Sequence, residues 1–98
     1  MSPSAKLSVS RVQFREAPIL DQHAGLLGWV SIELNGALVI ADVQVRRTRE
    51  GREYLAFPSR IDGRGERRSV VRPLTDEARV EIERQVVAEL RKQGRLAS

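Results

Sequence analysis

Cysteine is absent from this chain, and its absence excludes several kinds of chemistry at once. Without thiols there is no disulfide, no zinc site built on thiolates and no cysteine nucleophile. A chain without cysteine fits a reducing compartment, and we expect a cytoplasmic protein. The single histidine, His23, stands in a polar segment with no second histidine to share a metal. We therefore predict no metal site and no cofactor.

Long apolar runs are missing as well. None approaches the ~20 residues of a membrane-spanning helix, and residues 1–6 lack the apolar segment of a secretory signal. We expect no contact with a membrane. The chain also lacks a Gly-x-Ser-x-Gly elbow and a phosphate-binding loop with its lysine. Asp42 is better explained as a strand residue beside Trp29 than as a base, so we predict no catalytic residue, no small-molecule substrate and no enzyme.

Aromatic residues are few, with four in 98 residues. The core must therefore consist mainly of valine, leucine, isoleucine and alanine, and this length suffices for one modest domain. We predict a flexible arm at residues 1–6, a single domain at 7–94 and a tail at 95–98. A core this thin favours dimerisation, and we expect a homodimer.

Arginine dominates the basic residues. The net charge of the chain is +4, yet nine arginines oppose four acids between Arg46 and Arg72, a local excess of +5. A localised basic excess is typical of proteins that bind phosphates. Its densest part is a loop with Gly63 and Gly65, bracketed by short apolar pieces. The predicted nucleic-acid-binding residues are Arg60, Arg64, Arg67, Arg68 and Arg72. In an alternative interpretation, Arg67 and Arg68 pair with nearby carboxylates on a solvated edge, each pair contributing about 0–1 kcal/mol.

Two β-rich runs, at 26–34 and 37–46, are joined by Asn35-Gly36. Asn-Gly tolerates the positive φ angles of a type I′ turn, so the pattern predicts a hairpin. The predicted register pairs Leu34 with Ala37 and Ile32 with Val39. It places Trp29, Leu38 and Ile40 on the face away from the core. An exposed apolar face indicates a contact surface, and these three residues are the predicted dimer interface.

The remaining pattern predicts an α+β fold, a small antiparallel sheet of about four to five strands packed by one C-terminal helix. A strand at 7–15 needs a bulge near Ser10–Arg11 to bring both its apolar pairs to the core. Residues 17–25 read as a loop, 53–57 as a strand and 68–71 as a short edge strand. The helix spans 75–93, with Thr75 as N-cap and Gly94 in a left-handed conformation after its end. Its apolar stripe comprises Ala78, Ile82, Val86, Val87 and Leu90.

Three segments together resemble the stage V sporulation protein G family, the small bacterial septation regulators. They are Val39–Val45, Leu55–Arg60 and Gly65–Arg68 with the downstream Pro73, and their order and spacing hold over about residues 9–90. The sequence departs from the family pattern at four positions. Ile61 stands where a second basic residue is usual, Arg67 replaces an aromatic residue, Gln44 stands where arginine is common, and Arg72 where histidine is common.

The resemblance implies a homodimeric regulator that binds DNA and RNA and is linked to septation, cell division and sporulation. It implies a small antiparallel sheet with one C-terminal helix. The family's nucleic-acid contacts, carried over to this chain, are Arg60, Arg67 and Arg68, with Arg64 as a local substitute. A second hypothesis stays open, a protein-interaction module that uses the Trp29, Leu38 and Ile40 face or an open sheet edge, with the arginines serving solubility.

Overall fold

The computed structural model describes residues 6–96. Most of the predicted N-terminal arm and the end of the predicted tail lie outside the described residues. The elements in chain order are β1 Val9–Glu16, α1 Ile19–His23, β2 Leu26–Leu34, β3 Leu38–Arg47, β4 Glu53–Ala56, β5 Ser59–Ile61, β6 Arg67–Ser69 and α2 Asp76–Lys92. Strands β1 to β4 form an antiparallel sheet in that order, and β5 pairs with β6 in a second sheet. The predicted α+β fold is confirmed.

The predicted bulge in β1 is confirmed. Arg11 has a φ of 49°, and the pairing of β1 with β2 shifts between Ser10 and Gln13. The extra residue lets apolar side chains on both sides of the bulge turn toward the core. Val12 is buried, while Leu7, Val9 and Phe14 pack against the margin of the core.

The turn between β2 and β3 forms as predicted, but the predicted register is wrong. Asn35 and Gly36 have φ angles of 56° and 62°, and the Ala37 N–H donates to the Leu34 carbonyl at 3.0 Å. The strand ladder, however, pairs Leu34 with Leu38 and Ile32 with Ile40. A one-residue slip moves side chains to the opposite face of a strand. Ile40 consequently lies in the core, 8% exposed, and not on the outer side of the sheet.

A second bulge in β3 restores the core pattern further along the strand. Ile32 pairs with Ile40 but Val30 pairs with Val43, so two residues of β3, Ala41 and Asp42, lie opposite one residue of β2. Asp42 takes a φ of 58°, which aspartate tolerates better than most residues. Beyond the bulge, Val43 and Val45 are completely buried.

Helix α2 covers the inner face of the main sheet. The Thr75 hydroxyl accepts a hydrogen bond from the Ala78 N–H at 3.1 Å. Gly94 has a φ of 76°, and the Arg95 N–H closes the helix end on the Leu90 carbonyl at 2.8 Å. The predicted caps are thus confirmed. The predicted stripe packs on the sheet, with buried residues Ile82, Val86, Val87 and Leu90, and Leu96 completes this core.

Two polar side chains of α2 fix the helix against both edges of the sheet. Glu83, although buried, accepts hydrogen bonds from the Leu55 N–H at 3.1 Å and from Arg79 Nη1 at 3.3 Å. Gln85 donates to the Leu7 carbonyl at 2.7 Å and accepts from the Val9 N–H at 2.8 Å. Because α2 occupies the inner face, the opposite face of the sheet is the one open to other molecules.

The segment predicted as a loop at 17–25 contains the short helix α1. Pro18 precedes it, and its ring presets a φ compatible with the first helical turn. Five residues are too few to show a helical period in the sequence, which is why the pattern analysis missed this element. Ile19 and Leu20 remain exposed, so α1 adds little to the core.

Candidate nucleic-acid interface

The arginine-rich segment is a β-hairpin of its own, where the sequence predicted a loop followed by an edge strand at 68–71. Strand β5 pairs with β6, so that Arg60 lies opposite Arg68 and Ile61 opposite Arg67. We call residues 59–69 the arginine hairpin. Four of the five predicted arginines lie on it, and Arg72 lies beyond it in the segment that leads to α2. All five are exposed.

Asp62 organises the turn of the arginine hairpin. Its Oδ1 accepts hydrogen bonds from the backbone N–H groups of Arg64 at 2.8 Å and Glu66 at 2.9 Å, and its Oδ2 accepts from Arg68 Nε at 2.8 Å. Gly65, with a φ of 80°, donates back to the Asp62 carbonyl at 3.0 Å. The Arg68 guanidinium, followed by the Glu66 and Arg64 amides, lowers the pKa of Asp62. Sequence reasoning missed this role, although Asp-Gly is a recognised turn signal.

The arginines of the hairpin divide between its two faces. Side chains alternate along a strand, so Arg60 and Arg68 share one face while Arg67 shares the other with Ile61. Two like charges directly opposite each other are unfavourable, and the contact of Arg68 with Asp62 offsets this repulsion. On the other face, Arg67 Nη1 donates to the Ser59 hydroxyl at 2.9 Å.

Three arginine side chains of this region keep their charge unshared. Within residues 6–96, Arg60, Arg64 and Arg72 make neither an ion pair nor a side-chain hydrogen bond. Arg67 and Arg68 instead contact Ser59 and Asp62. The alternative of local pairing on a solvated edge therefore holds for Arg68. The guanidinium groups of Arg60, Arg64 and Arg72 remain available to an external anion.

The arginine hairpin projects from the body of the molecule. No other strand or helix packs against β5 or β6 in the described part of the chain. The radius of gyration is 14.0 Å, larger than the roughly 13 Å of a compact domain of this size. Hydrogen bonds from the Val70 and Val71 N–H groups to the Pro58 carbonyl, at 2.9 and 3.4 Å, close the base of the hairpin. A projecting two-stranded ribbon is a shape that the major groove of duplex DNA admits.

The face of the main sheet turned away from α2, here called the outer face, carries one continuous row across its four strands. Successive strand partners in this row are Arg15, Trp29, Gln44 and Ala56. The Arg15 guanidinium lies 4.7 Å from the centroid of the Trp29 ring, a cation–π distance. Trp29 is half-buried, with Arg15 and Gln44 as its partners on the two adjacent strands.

A cavity of about 660 Å³, here called the outer groove, lies between the outer face and the arginine hairpin. One wall is formed by Trp29, Asp42 and Gln44, and the other by Ser59, Arg67 and Ser69. The predictions did not include Asp42 or Gln44 in any site. Their place became visible only once the bulge of β3 and the position of the hairpin were known.

The predicted dimer interface does not form one patch in this structure. Ile40 is buried in the core, Trp29 lies beside the outer groove, and Leu38 is 61% exposed at the tip of the β2–β3 hairpin. The expectation that these three residues share an exposed face is wrong because of the shifted register. A role of Trp29 or Leu38 in contacting a second copy stays a prediction.

Comparison with known proteins gives the chain its family. No curated protein matches the sequence. Neither helix described here is long and apolar enough to cross a membrane. The model of the SpoVG family matches residues 7–92, which include the main sheet, the arginine hairpin and α2. On this match, and in agreement with the resemblance carried by its three segments, the chain belongs to the SpoVG family.

Proposed function

We propose that this chain is a regulatory protein that binds DNA or RNA through the arginine hairpin. Membership of the SpoVG family supports a sporulation-related regulator in general. The observation that carries the finer proposal is the geometry of the hairpin. It projects from the fold, and Arg60, Arg64 and the adjacent Arg72 have no partner within the described chain. Residues 59–72 hold five arginines and two acids, a net charge of +3.

Arginine suits this task because its planar guanidinium matches the oxygens of a phosphate in a bidentate contact. Each phosphate neutralised on duplex DNA makes log K fall with log salt by about 0.9. Three contacts per chain, from Arg60, Arg64 and Arg72, correspond to a slope of about −2.7. A symmetric dimer would present two hairpins and double this value.

The arginines differ in how their replacement would affect the hairpin itself. The resemblance pointed to Arg60, Arg67 and Arg68, but Arg68 already binds Asp62 and Arg67 already binds Ser59. Removing either would alter the hairpin as well as its charge. Arg60 and Arg64 are therefore the clean positions for testing phosphate binding.

The test is fluorescence anisotropy with labelled duplex DNA, single-stranded DNA and RNA, measured across salt concentrations. We expect the variant Arg60→Ala/Arg64→Ala to bind several-fold more weakly at low salt, with a slope shallower by about 1.8 for each chain that contacts the DNA. The matched control is Lys6→Ala/Lys92→Ala, which removes the same charge from two exposed positions outside the hairpin that make no ion pair within residues 6–96. Equal weakening by the two double variants would show a general charge effect and contradict the assignment to the hairpin.

A second candidate function is supported by exposed apolar side chains near the same hairpin. Ile61 lies on the hairpin, Val70 and Leu74 follow it in the chain, and the three are 56%, 58% and 85% exposed; exposed apolar residues that form a patch favour a protein contact. In this candidate the chain recruits a division or regulatory protein. Absence of binding to every nucleic acid at low salt would favour it over the proposed function.

We also propose that the chain acts as a homodimer, as the thin core predicts.

A further inference from the structure

We infer that the outer groove binds a single unstacked nucleobase, presented by a single strand. This inference rests on the proposed function and adds a second contact site with its own specificity. It concerns the space between the outer face and the hairpin, whereas the proposed phosphate contacts lie on the hairpin and just beyond it.

Trp29 supplies an aromatic surface for such a base. It lines the outer groove and also a smaller cavity of about 190 Å³ on the β1 side, so the indole lies between two openings of the outer face. Its cross-strand neighbours Arg15 and Gln44 fix its position in the row. Bases stack on aromatic side chains regardless of sequence, because every base has a π-face. Stacking alone therefore predicts binding without selectivity.

Asp42 supplies a hydrogen-bond acceptor for the edge of the base. Asp42 lines both cavities, and its carboxylate makes no ion pair or hydrogen bond with any residue between 6 and 96. A free carboxylate repels a phosphate but accepts hydrogen bonds from a base amino group. Asp42 has a positive φ at the β3 bulge, and it lines both cavities together with Trp29.

Gln44 adds the complementary donor. Its Oε1 accepts a hydrogen bond from Arg46 Nη1 at 3.1 Å, which leaves the amide N–H groups to donate to a base carbonyl or ring nitrogen. An acceptor beside a donor matches cytosine, guanine and adenine, each of which carries an amino group next to an acceptor. Thymine and uracil match it as well, through the imide N3–H that lies next to a carbonyl oxygen.

The opposite wall of the groove suits the phosphate of the same nucleotide. Arg67 lines this wall with Ser59 and Ser69, and the Ser59 hydroxyl orients its guanidinium. The outer groove has a volume of about 660 Å³ and is partly open to solvent, so a base attached to a continuous strand can enter it. Bases in a duplex are stacked inside the helix, whereas bases of a single strand can be splayed into such a pocket. The ligand class is therefore a single strand.

Trp29 is the only tryptophan of the chain, so its intrinsic fluorescence reports directly on the groove. The experiment titrates the full chain with oligodeoxycytidylate, with oligodeoxythymidylate of equal length and with a duplex. Tryptophan emission and the anisotropy of labelled oligonucleotide are followed in parallel. We expect strong quenching with both single-stranded oligomers and no quenching with the duplex, whose bases stay stacked inside the helix.

The variant Asp42→Asn should weaken the quenching several-fold, because a neutral amide oxygen is a weaker acceptor than a carboxylate, whereas loss of a negative charge by itself would strengthen binding to a polyanion. Asparagine tolerates the same positive φ, so the variant should keep the fold. The control is Asp21→Asn, an exposed aspartate of α1 that lines neither cavity.

Each outcome separates this inference from the proposed function. Oligonucleotide binding by anisotropy without quenching of Trp29, or quenching that Asp42→Asn leaves undiminished, overturns the groove site and leaves the hairpin intact. Loss of all anisotropy change overturns the proposed function. Tryptophan emission that depends on protein concentration but not on oligonucleotide would show a second copy in the groove and would also overturn the inference.

Discussion

Gly28 shows how a single residue sets the packing of the sheet. A Cβ atom at this position would lie 2.4 Å from the Arg15 carbonyl oxygen and 2.6 Å from Cζ of Phe14. The aromatic ring of β1 therefore lies directly over the bare backbone of β2. Because a backbone atom is among the neighbours, a small rotation of a side chain cannot relieve the contact.

We expect Gly28→Ala to lower the free energy of unfolding by roughly 1–3 kcal/mol through overpacking. Thermal and urea denaturation of the variant measure this loss. Gly63→Ala is the matched control, because no atom lies within 4 Å of its added Cβ and its φ is not in the left-handed region. Equal stability of the two variants would argue against the close approach of Phe14.

Asp62 gives a second prediction at this scale, on pH. The lowered pKa of Asp62 means that its ionised form stabilises the hairpin above the ordinary pKa of the unfolded carboxyl. This stabilisation is lost as the pH falls through the lower folded value. In an NMR titration we expect the Asp62 midpoint to lie below that of a peptide comprising residues 59–69, and Arg68→Gln to move it upward. A midpoint unchanged by Arg68→Gln would show that the guanidinium is not the main cause.

At the scale of elements, different interactions stabilise α2 and the arginine hairpin. The helix has a capping residue at each end, Thr75 and Gly94, and its buried side chains pack against the sheet. The hairpin has no core beneath it, so local hydrogen bonds to Asp62 hold its turn together. A perturbation of the helix should therefore reduce global stability, while one of the hairpin turn should remain local.

We expect Thr75→Ala to lower the free energy of unfolding by about 1 kcal/mol, because the Ala78 N–H loses its acceptor. Thr75→Ser retains a hydroxyl and should remain close to the parent. Urea denaturation followed by circular dichroism measures both. If the Thr75→Ala chain were as stable as the Thr75→Ser chain, the hydrogen bond of the Thr75 cap would not contribute to the stability of the helix.

At the scale of the whole molecule, the sheet separates two different surfaces. Helix α2 closes the inner face, and the outer face meets the projecting hairpin across the outer groove. Ile40 and Leu38 lie two residues apart on β3, yet one is 8% and the other 61% exposed. Substituting a charge at each of them distinguishes folding from association.

We expect Ile40→Asp to unfold the chain or destabilise it by roughly 3 kcal/mol or more, since a charge would be placed in the core without a partner. Leu38→Asp should change the unfolding free energy by less than about 0.5 kcal/mol and weaken the proposed homodimer. Thermal denaturation and sedimentation velocity make the two measurements. A stably folded Ile40→Asp protein would contradict the observed register, and an unchanged Leu38→Asp dimer would exclude Leu38 from the interface.

The sequence predicted the parts that depend on local chemistry. The helix, predicted at 75–93, spans Asp76–Lys92, because capping residues and an apolar period of about 3.6 act within one segment. The positive φ angles at Asn35-Gly36 and the bulge near Arg11 follow equally from local requirements. The arginine cluster was also visible, since charge density is a property of the chain itself.

Local chemistry could not predict three other features, namely the shifted register, the bulge at Asp42 and the pairing of β5 with β6. Each depends on which residue of a neighbouring strand lies opposite, and several registers satisfy a pattern in which both strands are rich in apolar residues. Ile40 and Val39 are both β-branched, and nothing in their order shows which one the core accepts. Asp62 could have been found as a turn residue, but not its contact with Arg68.

What the sequence determined by itself was the α+β class, the helix with its caps, the local excess of arginine and the resemblance to the family. The tertiary structure alone decided that Ile40 belongs to the core, that the arginine segment is a projecting hairpin, and that Trp29, Asp42 and Arg67 line one groove. The physical reason is that caps, turns and net charge arise from neighbours in the chain. Strand register and groove walls arise from residues distant in sequence, whose juxtaposition is selected by burying the apolar surface of the whole fold.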